Sequence, residues 1–132
     1  YAGTCMMEYS GRSVSRCPMG KDSVGPVVIH EGGGHGFGRL LDEYRYYAAE
    51  LPNDDKNSIK SWRSKDPYYG YNLDLTGDRN KVHWAHYFDR PGYEAVGMHE
   101  GGCLYEFGVW RPEYISCMED NRPYYNVNGK NY

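Results

Sequence analysis

The segment HEGGGH places His30 and His35 at the two ends of a glycine run, inside the longer stretch VVIHEGGGHGFGRLLDEY. Neutral imidazoles are common zinc ligands, and a catalytic zinc site often adds a carboxylate and leaves one position for water. In the widespread motif His-Glu-x-x-His, a spacing of four residues stacks both imidazoles on one face of a helix. The spacing of five residues here would set the two side chains ~140° apart on a regular helix, too far around it to share one metal.

A single π-bulge would return His30 and His35 to the same face, because it absorbs one extra residue. Glycine tolerates that distortion best, although each glycine costs a helix ~1 kcal/mol relative to alanine. Ligation at both ends of the run would offset this cost, because metal-binding free energy is also folding free energy. The sequence therefore predicts one zinc ion on a bulged helix through Gly32, Gly33 and Gly34.

The third metal ligand and a general base are both expected among the nearby carboxylates. Asp42 is the first candidate for the ligand, but a straight helix would carry it ~10 Å beyond His35. The chain must therefore turn back near Gly36 and Gly38, and the alternative ligands are Glu43, Glu94 and Glu100. Glu31 is predicted to be the general base, since a carboxylate beside a ligand histidine can accept the proton of a zinc-activated water.

Two other interpretations of the glycine run remain open. The run could be a structural turn between a strand, VVI, and a helix, RLLDEY, or that turn could bind phosphate. The phosphate motif G-x-G-x-x-G does not fit, because Phe37 or Arg39 occupies the place of the third glycine. The P-loop motif fails as well, because Arg39-Leu40 stands where Lys-Ser/Thr is needed. Metal binding is the favoured interpretation of the three.

Beyond the cluster, the segment HEGGGHGFGRLLDEY resembles the IgA peptidase family, which are secreted zinc metallopeptidases of gut bacteria. The ending Leu40-Leu41-Asp42-Glu43-Tyr44 is similar to that family's motif, and the resemblance extends to YAGTCMMEYS, NLDLTGDRNKVHWAHYFDRPGYEAVGMHEGG and GVWRPEYISCMEDNRPYYN. It covers most of residues 1–126 and is weakest over 53–70. The five-residue histidine spacing departs from the common zincin form.

The resemblance implies an α+β, zincin-like (metzincin-like) catalytic domain. In that fold the metal-binding helix packs under a twisted mixed sheet, and the C-terminal part is rich in loops. The resemblance further implies a Met-turn-like segment, SCMED, in which Met118 supports the site. It also implies the site residues themselves, with Glu31 as general base and with zinc ligands His30, His35 and Asp42. The implied function is a zinc endopeptidase acting on extracellular protein or glycoprotein, with immunoglobulin among the candidate substrates.

The sequence also offers candidates for contacts with the substrate, and it leaves two alternative functions open. An oxyanion or substrate contact is expected from a polar side chain near the scissile carbonyl, and the candidates are Tyr44, Tyr124, Tyr125 and His99. One alternative function is a carbohydrate- or glycoprotein-binding module with a structural metal and an aromatic wall made of Tyr46, Tyr47, Tyr68, Tyr69, Tyr71 and Tyr105. Another alternative is a catalytically inactive zincin-like scaffold.

The elements around the cluster are predicted from periodicity and turn residues. Residues 1–19 alternate like a strand pair with its tip at Ser10-Gly11. Asp22 or Ser23 would cap a helix that carries Pro26 in its first turn and continues through the glycine run.

The remaining segments are predicted in the same way. RLLDEYRYYAAEL predicts a resumed helix that ends before Pro52. Residues 53–72 predict an irregular surface segment. Thr76 or Asp78 would cap a short helix through RNKVHWAHYF, and residues 93–132 predict loops and short strands.

Length and composition limit the number of domains, the classes of partner and the use of the cysteines. The 132 residues predict a single domain, 1–132, and both ends read as cut from a longer, secreted, periplasmic or cell-surface bacterial chain. A net charge of −3 without a basic stripe argues against nucleic acid, and no apolar run is long enough for a membrane span. A protein or peptide substrate is the expected partner. The four cysteines contain no CxxC pair, and a Cys5–Cys17 bridge or free thiols are equally compatible with the sequence.

Overall fold

The computed structural model describes residues 3–7, 12–18, 24–122 and 124–127, which form a small α+β fold. The strands are β1 (Thr4–Met7), β2 (Ser13–Arg16), β3 (Arg45–Glu50), β4 (His99–Gly102) and β5 (Leu104–Arg111). The helices are α1 (Val24–Val28), the π-helix (Ile29–Phe37), α2 (Asn53–Arg63), a 3-10 helix (Ala85–Tyr87) and α3 (Cys117–Asp120). The predicted α+β class is confirmed.

A three-stranded mixed sheet forms the centre of the larger part of the molecule. Its strand order is β3-β5-β4, with β3 parallel and β4 antiparallel to β5. Successive residues of a strand face opposite sides of a sheet. Accordingly, Val109 packs into a cluster with Leu51, Ile59 and Leu73, while Trp110 packs against a second cluster around Trp84. The sheet is therefore covered on both faces.

A separate two-stranded hairpin covers the π-helix. Strands β1 and β2 are antiparallel, with Thr4 opposite Arg16 and Cys5 opposite Ser15. The predicted strand pair is confirmed, and its predicted tip at Ser10-Gly11 lies outside the described residues. The π-helix packs mainly against this hairpin and α3, rather than under the three-stranded sheet as the family resemblance implies.

The glycine run adopts a continuous π-helix rather than a single bulge. A short α-helix, α1, contains Pro26 and leads directly into the nine residues Ile29–Phe37, in which each hydrogen bond spans one residue more than in an α-helix. The predicted caps Asp22 and Ser23 lie outside the described residues. The interpretation of the run as a strand-turn-helix junction is wrong, because helical backbone passes through all of the glycines.

The helix predicted over RLLDEYRYYAAEL is wrong. Residues 38–44, which follow the π-helix, form neither helix nor strand, and Arg45–Glu50 forms strand β3, whose Tyr47 pairs with Tyr105 of β5. The spacing of the apolar residues matches a helix, but a long-range parallel pairing determines the conformation instead. The Asn72 side chain fixes Leu41, which lies before β3, by accepting a hydrogen bond from its N–H (3.0 Å) and donating one to its carbonyl (2.8 Å).

Two further segments differ from their predictions. Residues 53–72, expected to be irregular, begin with α2, whose Ile59 is buried in the core. The helix expected after Thr76 is a series of turns, with only Ala85–Tyr87 helical. The oxygens of Thr76 and Asp78 accept hydrogen bonds from backbone N–H groups two residues ahead, at 3.1 and 3.0 Å, so they stabilise turns instead of capping a helix.

The structure also bears on membrane spans and on the pairing of the cysteines. Within the part of the chain that the structure describes, no helix is both long and apolar enough to cross a bilayer. The four cysteines are free, and Cys117 is the buried one. Cys5 lies opposite Ser15 rather than Cys17, so the two cysteines are not direct cross-strand neighbours.

Candidate metal centre

The predicted ligands His30, His35 and Asp42 come together at one point. The Nε2 atoms of His30 and His35 each lie 3.1 Å from Asp42 Oδ1. The two imidazoles meet edge to face, with centroids 4.9 Å apart and planes at 78°. One ligand atom from each of the three residues lies within 4.8 Å of the other two. The cluster therefore has the compactness that a single ion requires.

The second ring nitrogen of each histidine fixes the tautomer. His30 Nδ1 lies 2.9 Å from the Cys117 carbonyl, and His35 Nδ1 lies 2.7 Å from the Leu40 carbonyl. A carbonyl can only accept a hydrogen bond, so we assign a proton to Nδ1 in both rings. In the neutral imidazoles, each Nε2 then carries a lone pair that points at Asp42. Metal-binding histidines in proteins are oriented in this way by their other ring nitrogen.

Three electron-pair donors therefore converge on one point, and a cation must neutralise them. Burial lowers the pKa of His30, but the hydrogen bonds with Asp42 and Cys117 outweigh it and raise that pKa to about 10. Burial also opposes ionisation of Asp42, yet the hydrogen bonds from His30 and His35 hold the pKa of Asp42 well below its usual range. Without a metal, protons must supply the positive charge. A divalent cation supplies it directly.

The donor set fits zinc by type and by spacing. Two imidazoles and a carboxylate leave the fourth tetrahedral position open, as in catalytic sites. Ligand bonds of ~2.0–2.1 Å in a tetrahedron would place ligand atoms ~3.3 Å apart. The two His–Asp separations of 3.1 Å are close to that value. His30, His35 and Asp42 would hold the ion, and their role as zinc ligands stays a prediction.

Asp42 reaches the histidines because the chain reverses directly after the π-helix. Gly38 N–H closes the helix on the Gly33 carbonyl at 2.8 Å, and Arg39 follows with a left-handed backbone at φ 54°. The left-handed residue is thus Arg39 rather than one of the glycines expected at the bend. Arg39 is held by an ion pair with Asp66 and by a hydrogen bond from the Gly70 N–H to its carbonyl.

Glu31, the predicted general base, lies beside the cluster in a buried position. Its residue is 7% exposed, and burial raises the pKa of its carboxyl above the usual value, against the opposing effect of His35 and His30. Glu31 lines a cavity of about 290 Å³ together with His35 and Asp42. It also lines a cavity of about 300 Å³ on the side of His30. A molecule in either cavity would therefore contact both the cluster and this carboxyl.

Met118 lies against the π-helix between the two histidines. It is 1% exposed, and Ser116 caps its short helix α3 by accepting the Met118 N–H at 3.1 Å. A β-carbon at Gly34 would overlap the Met118 sulfur, so glycine is needed there for the close approach. The same α3 segment provides the carbonyl of Cys117 to His30. The SCMED segment thus contacts the π-helix and His30, and its role as a Met-turn stays a prediction.

Two of the four oxyanion or substrate candidates are near the cluster. Tyr44 stacks on His30, with ring centroids 6.1 Å apart, and its nearby hydroxyl helps the two histidines to hold the pKa of Asp42 below its usual range. Tyr125 packs on the π-helix and donates from its hydroxyl to the Ile29 carbonyl at 2.5 Å. The Tyr125 hydroxyl is engaged by the protein, whereas Tyr44 lines both cavities beside the cluster, and the role of either in contacting a substrate stays a prediction.

The other candidates lie elsewhere. Tyr124 donates its hydroxyl to Glu113, and His99 packs edge to face on Tyr114 at 5.9 Å. The fallback ligands Glu94 and Glu100 accept backbone N–H groups of Gly92 (2.8 Å) and Gly108 (3.0 Å). None of these four residues lines the two cavities beside the cluster.

Glu43 has a role that the sequence does not reveal. Although it suggests itself only as a fallback ligand, Glu43 is fully buried and points away from the cluster. Its carboxyl accepts hydrogen bonds from Asn72 (2.7 Å), Ser116 (2.7 Å) and Asn126, and its N–H donates to the Met118 carbonyl at 2.8 Å. The sequence carries no signal for this role, because the three partners of the carboxyl come from distant parts of the chain.

Comparison with protein-family models finds no match to this chain, and a search among curated proteins finds none with significant similarity.

Proposed function

We propose that this chain is a zinc-dependent endopeptidase with a zincin-like catalytic domain, which hydrolyses peptide bonds of extracellular protein or glycoprotein substrates. The observation that carries the proposal is the convergence of two imidazole Nε2 atoms and Asp42 Oδ1 on one point. Both imidazoles are held by backbone carbonyls in the tautomer that leaves Nε2 free to bind a metal. The resemblance to the secreted IgA peptidase family supports the same conclusion and favours an exported protein.

A bound zinc ion would supply Lewis-acid chemistry and lower the pKa of a coordinated water to ~7. Glu31 adds the proton transfer that peptide hydrolysis needs. Its carboxylate accepts a proton from the attacking water and delivers it to the leaving amine nitrogen. Burial raises the pKa of Glu31 above its usual value, which makes the carboxylate a better base. A closed structural site would have a fourth protein ligand and no need of such a neighbour.

The test combines metal content with hydrolysis. Purified protein should contain one zinc per chain, and His30→Ala or His35→Ala should lose it. Glu31→Gln should keep the zinc, because Glu31 is not a ligand, while peptide hydrolysis falls ~10²–10⁴-fold. Glu94→Gln is the matched control, since Glu94 is exposed and remote from the cluster, and it should retain both zinc and activity.

The outcomes separate this proposal from its main alternative. Full zinc in both histidine variants would place the site elsewhere, and wild-type rates in Glu31→Gln would assign the base to another residue. The alternative is a glycoprotein-binding module with a structural metal, which is favoured by the exposed rings of Tyr46 (74%) and Tyr47 (53%). Stoichiometric zinc with no cleavage of any peptide or protein would select that alternative.

A further inference from the structure

Gly3, the residue before β1, lies directly against the side chain of Glu31. A β-carbon at position 3 would be 2.6 Å from both Cγ and Oε1 of Glu31, and 2.6 Å from Cγ1 of Val27. Any residue with a β-carbon would therefore displace the Glu31 side chain, the Val27 side chain or the strand itself. Glycine leaves this space to the Glu31 carboxyl, because it brings only backbone to the contact.

The Glu31 carboxyl is held by packing and not by hydrogen bonds. Among the described residues, none donates a hydrogen bond to its oxygens, and its interactions with His30 and His35 are purely coulombic. Its backbone carbonyl, in contrast, accepts a hydrogen bond from Ser15 Oγ of β2 at 3.1 Å. The contact with Gly3 therefore limits the positions that the carboxyl can take.

Gly3 also belongs to the walls of the candidate site. Gly3, Glu31 and Tyr44 line both the cavity of about 290 Å³ and the cavity of about 300 Å³ beside the cluster. A molecule in either cavity would thus lie against the carboxyl that Gly3 covers. The hairpin forms part of the site in addition to covering the π-helix.

We propose that Gly3 is a positioning residue of the candidate active site, which fixes the Glu31 carboxyl beside the cluster by direct contact with its backbone. The inference rests on the proposed peptidase function, in which Glu31 accepts a proton from the attacking water. A base must lie within hydrogen-bond reach of the proton that it accepts, and a misplacement of ~1 Å can lower a rate ~10²-fold. In this role Gly3 acts through Glu31.

Gly3→Ala tests this role, because its methyl group takes space that the Glu31 side chain occupies. The kcat for peptide hydrolysis should fall ~10–100-fold, while KM stays within about twofold and the protein keeps its zinc. Gly25→Ala is the matched control. A β-carbon at Gly25, which is exposed in α1, would meet no atom within 4 Å, so this variant should keep the wild-type kcat.

A second variant combines Gly3→Ala with Val27→Ala. Removing the Val27 methyl groups gives the new β-carbon space on the side away from Glu31, so part of the lost kcat should return. This double variant also tests the role of Gly3 if Gly3→Ala alone does not fold. No recovery in a folded double variant would count against the contact with Glu31 as the cause of the loss.

A double-mutant cycle separates the positioning of Glu31 from a general effect on the fold. In the Glu31→Gln protein, Gly3→Ala should change kcat by less than about twofold, because the amide cannot accept the proton wherever it lies. An equal loss of kcat in both backgrounds, or full activity in Gly3→Ala, would overturn the role of Gly3 and leave the peptidase standing.

Crystal structures of the wild type and Gly3→Ala distinguish failure of this contact from failure of the peptidase. The Glu31 carboxyl should move by ~1 Å or more relative to His35 and Asp42 in the variant. An unmoved carboxyl would overturn the role of Gly3. A displaced carboxyl in a protein whose wild type cleaves no peptide would overturn the peptidase and leave the contact between Gly3 and Glu31 standing.

Discussion

Each histidine of the cluster is oriented by a backbone carbonyl from a different part of the chain. Leu40 lies in the turn after the π-helix, and Cys117 lies at the start of α3. A carbonyl cannot change its role from acceptor to donor, so in the neutral rings these bonds leave both Nε2 lone pairs directed at Asp42. The ligand geometry therefore depends on the turn and on α3 being folded, and not only on the residues that would touch the ion.

Tyr44 lies beside Asp42, the predicted third ligand, and its substitution tests whether it orients that carboxylate. Tyr44→Phe removes the hydroxyl that lies near Asp42 but keeps the ring that stacks on His30. Loss of such a partner typically costs ~10–100-fold in metal affinity. We therefore expect the zinc dissociation constant, measured by chelator competition, to rise by that factor while the fold stays intact.

Tyr46→Phe is the control for this prediction. Tyr46 is the next ring along the chain, 5.1 Å from Tyr44, and it is 74% exposed. Its variant should bind zinc like the wild type. Equal affinities for both variants would mean that the Tyr44 hydroxyl does not support Asp42.

At the scale of elements, the glycines of the π-helix have different structural roles. A β-carbon at Gly32 would meet no atom within 4 Å, so only backbone preference acts at that position. A β-carbon at Gly34 would overlap the Met118 sulfur, and one at Gly33 would overlap the Tyr125 hydroxyl. Gly33 and Gly34 thus allow Tyr125 and Met118 to pack directly against the backbone of the π-helix.

This difference predicts opposite outcomes for the same substitution. Gly34→Ala should destabilise the protein by ~1–3 kcal/mol, because Met118 is buried and cannot move aside freely. Gly32→Ala should be neutral or stabilise the helix by up to ~1 kcal/mol. Urea unfolding of the metal-free proteins gives both values, and zinc titration shows whether Gly34→Ala also displaces the ligands. Equal free energies of unfolding for Gly34→Ala and Gly32→Ala would show that contact with Met118 is not the reason for glycine at position 34.

The helix that carries the two histidines and the turn that returns Asp42 could be predicted from the sequence, because both depend on the spacing of residues that are close along the chain. The spacing of His30 and His35 requires a helix wound wider than an α-helix, and the π-helix has that winding. The turn that returns Asp42 to the histidines was predicted from the distance that a straight helix would impose. Its location at Arg39 was not, because a left-handed arginine depends on its contacts with Asp66 and Gly70.

The long-range part of the fold was not predicted correctly. Strand β3 has the apolar spacing of a helix, and its conformation follows from pairing with a strand that begins at Leu104. Helix α2 carries a signal that was available, with Asp54 and Asp55 in its first turn and Lys60 and Arg63 in its last, an order that suits the helix dipole. That segment has one buried apolar residue, Ile59, so hydrophobic periodicity alone did not identify it.

At the scale of the whole molecule, Glu43 connects the parts that build the site. Its carboxyl binds Asn72 in the loop that holds Leu41, Ser116 at the cap of α3, and Asn126 near the end of the described chain. Asp42 and Tyr44, on either side of it, face the cluster. One buried carboxyl therefore fixes the position of Asp42, the predicted third ligand, relative to the Met118 segment.

Glu43 also predicts a pH dependence of stability. Burial raises the pKa of Glu43 from an ordinary 4.5 to about 7, against the opposing hydrogen bonds of Asn72 and Ser116. The folded state then binds this proton more tightly than the unfolded state does, so the stabilising contribution is complete below pH 4.5 and is lost as the pH rises to about 7. Glu43→Gln has no such proton, so the difference in free energy of unfolding between wild type and Glu43→Gln should fall across this range and level off above it. Glu43→Ala, which removes the acceptor of three buried hydrogen bonds, should cost at least ~3 kcal/mol at every pH. Urea unfolding of the metal-free wild type, Glu43→Gln and Glu43→Ala at several pH values measures these free energies of unfolding. If the wild type and Glu43→Gln differ by the same amount at every pH, Glu43 keeps one protonation state throughout.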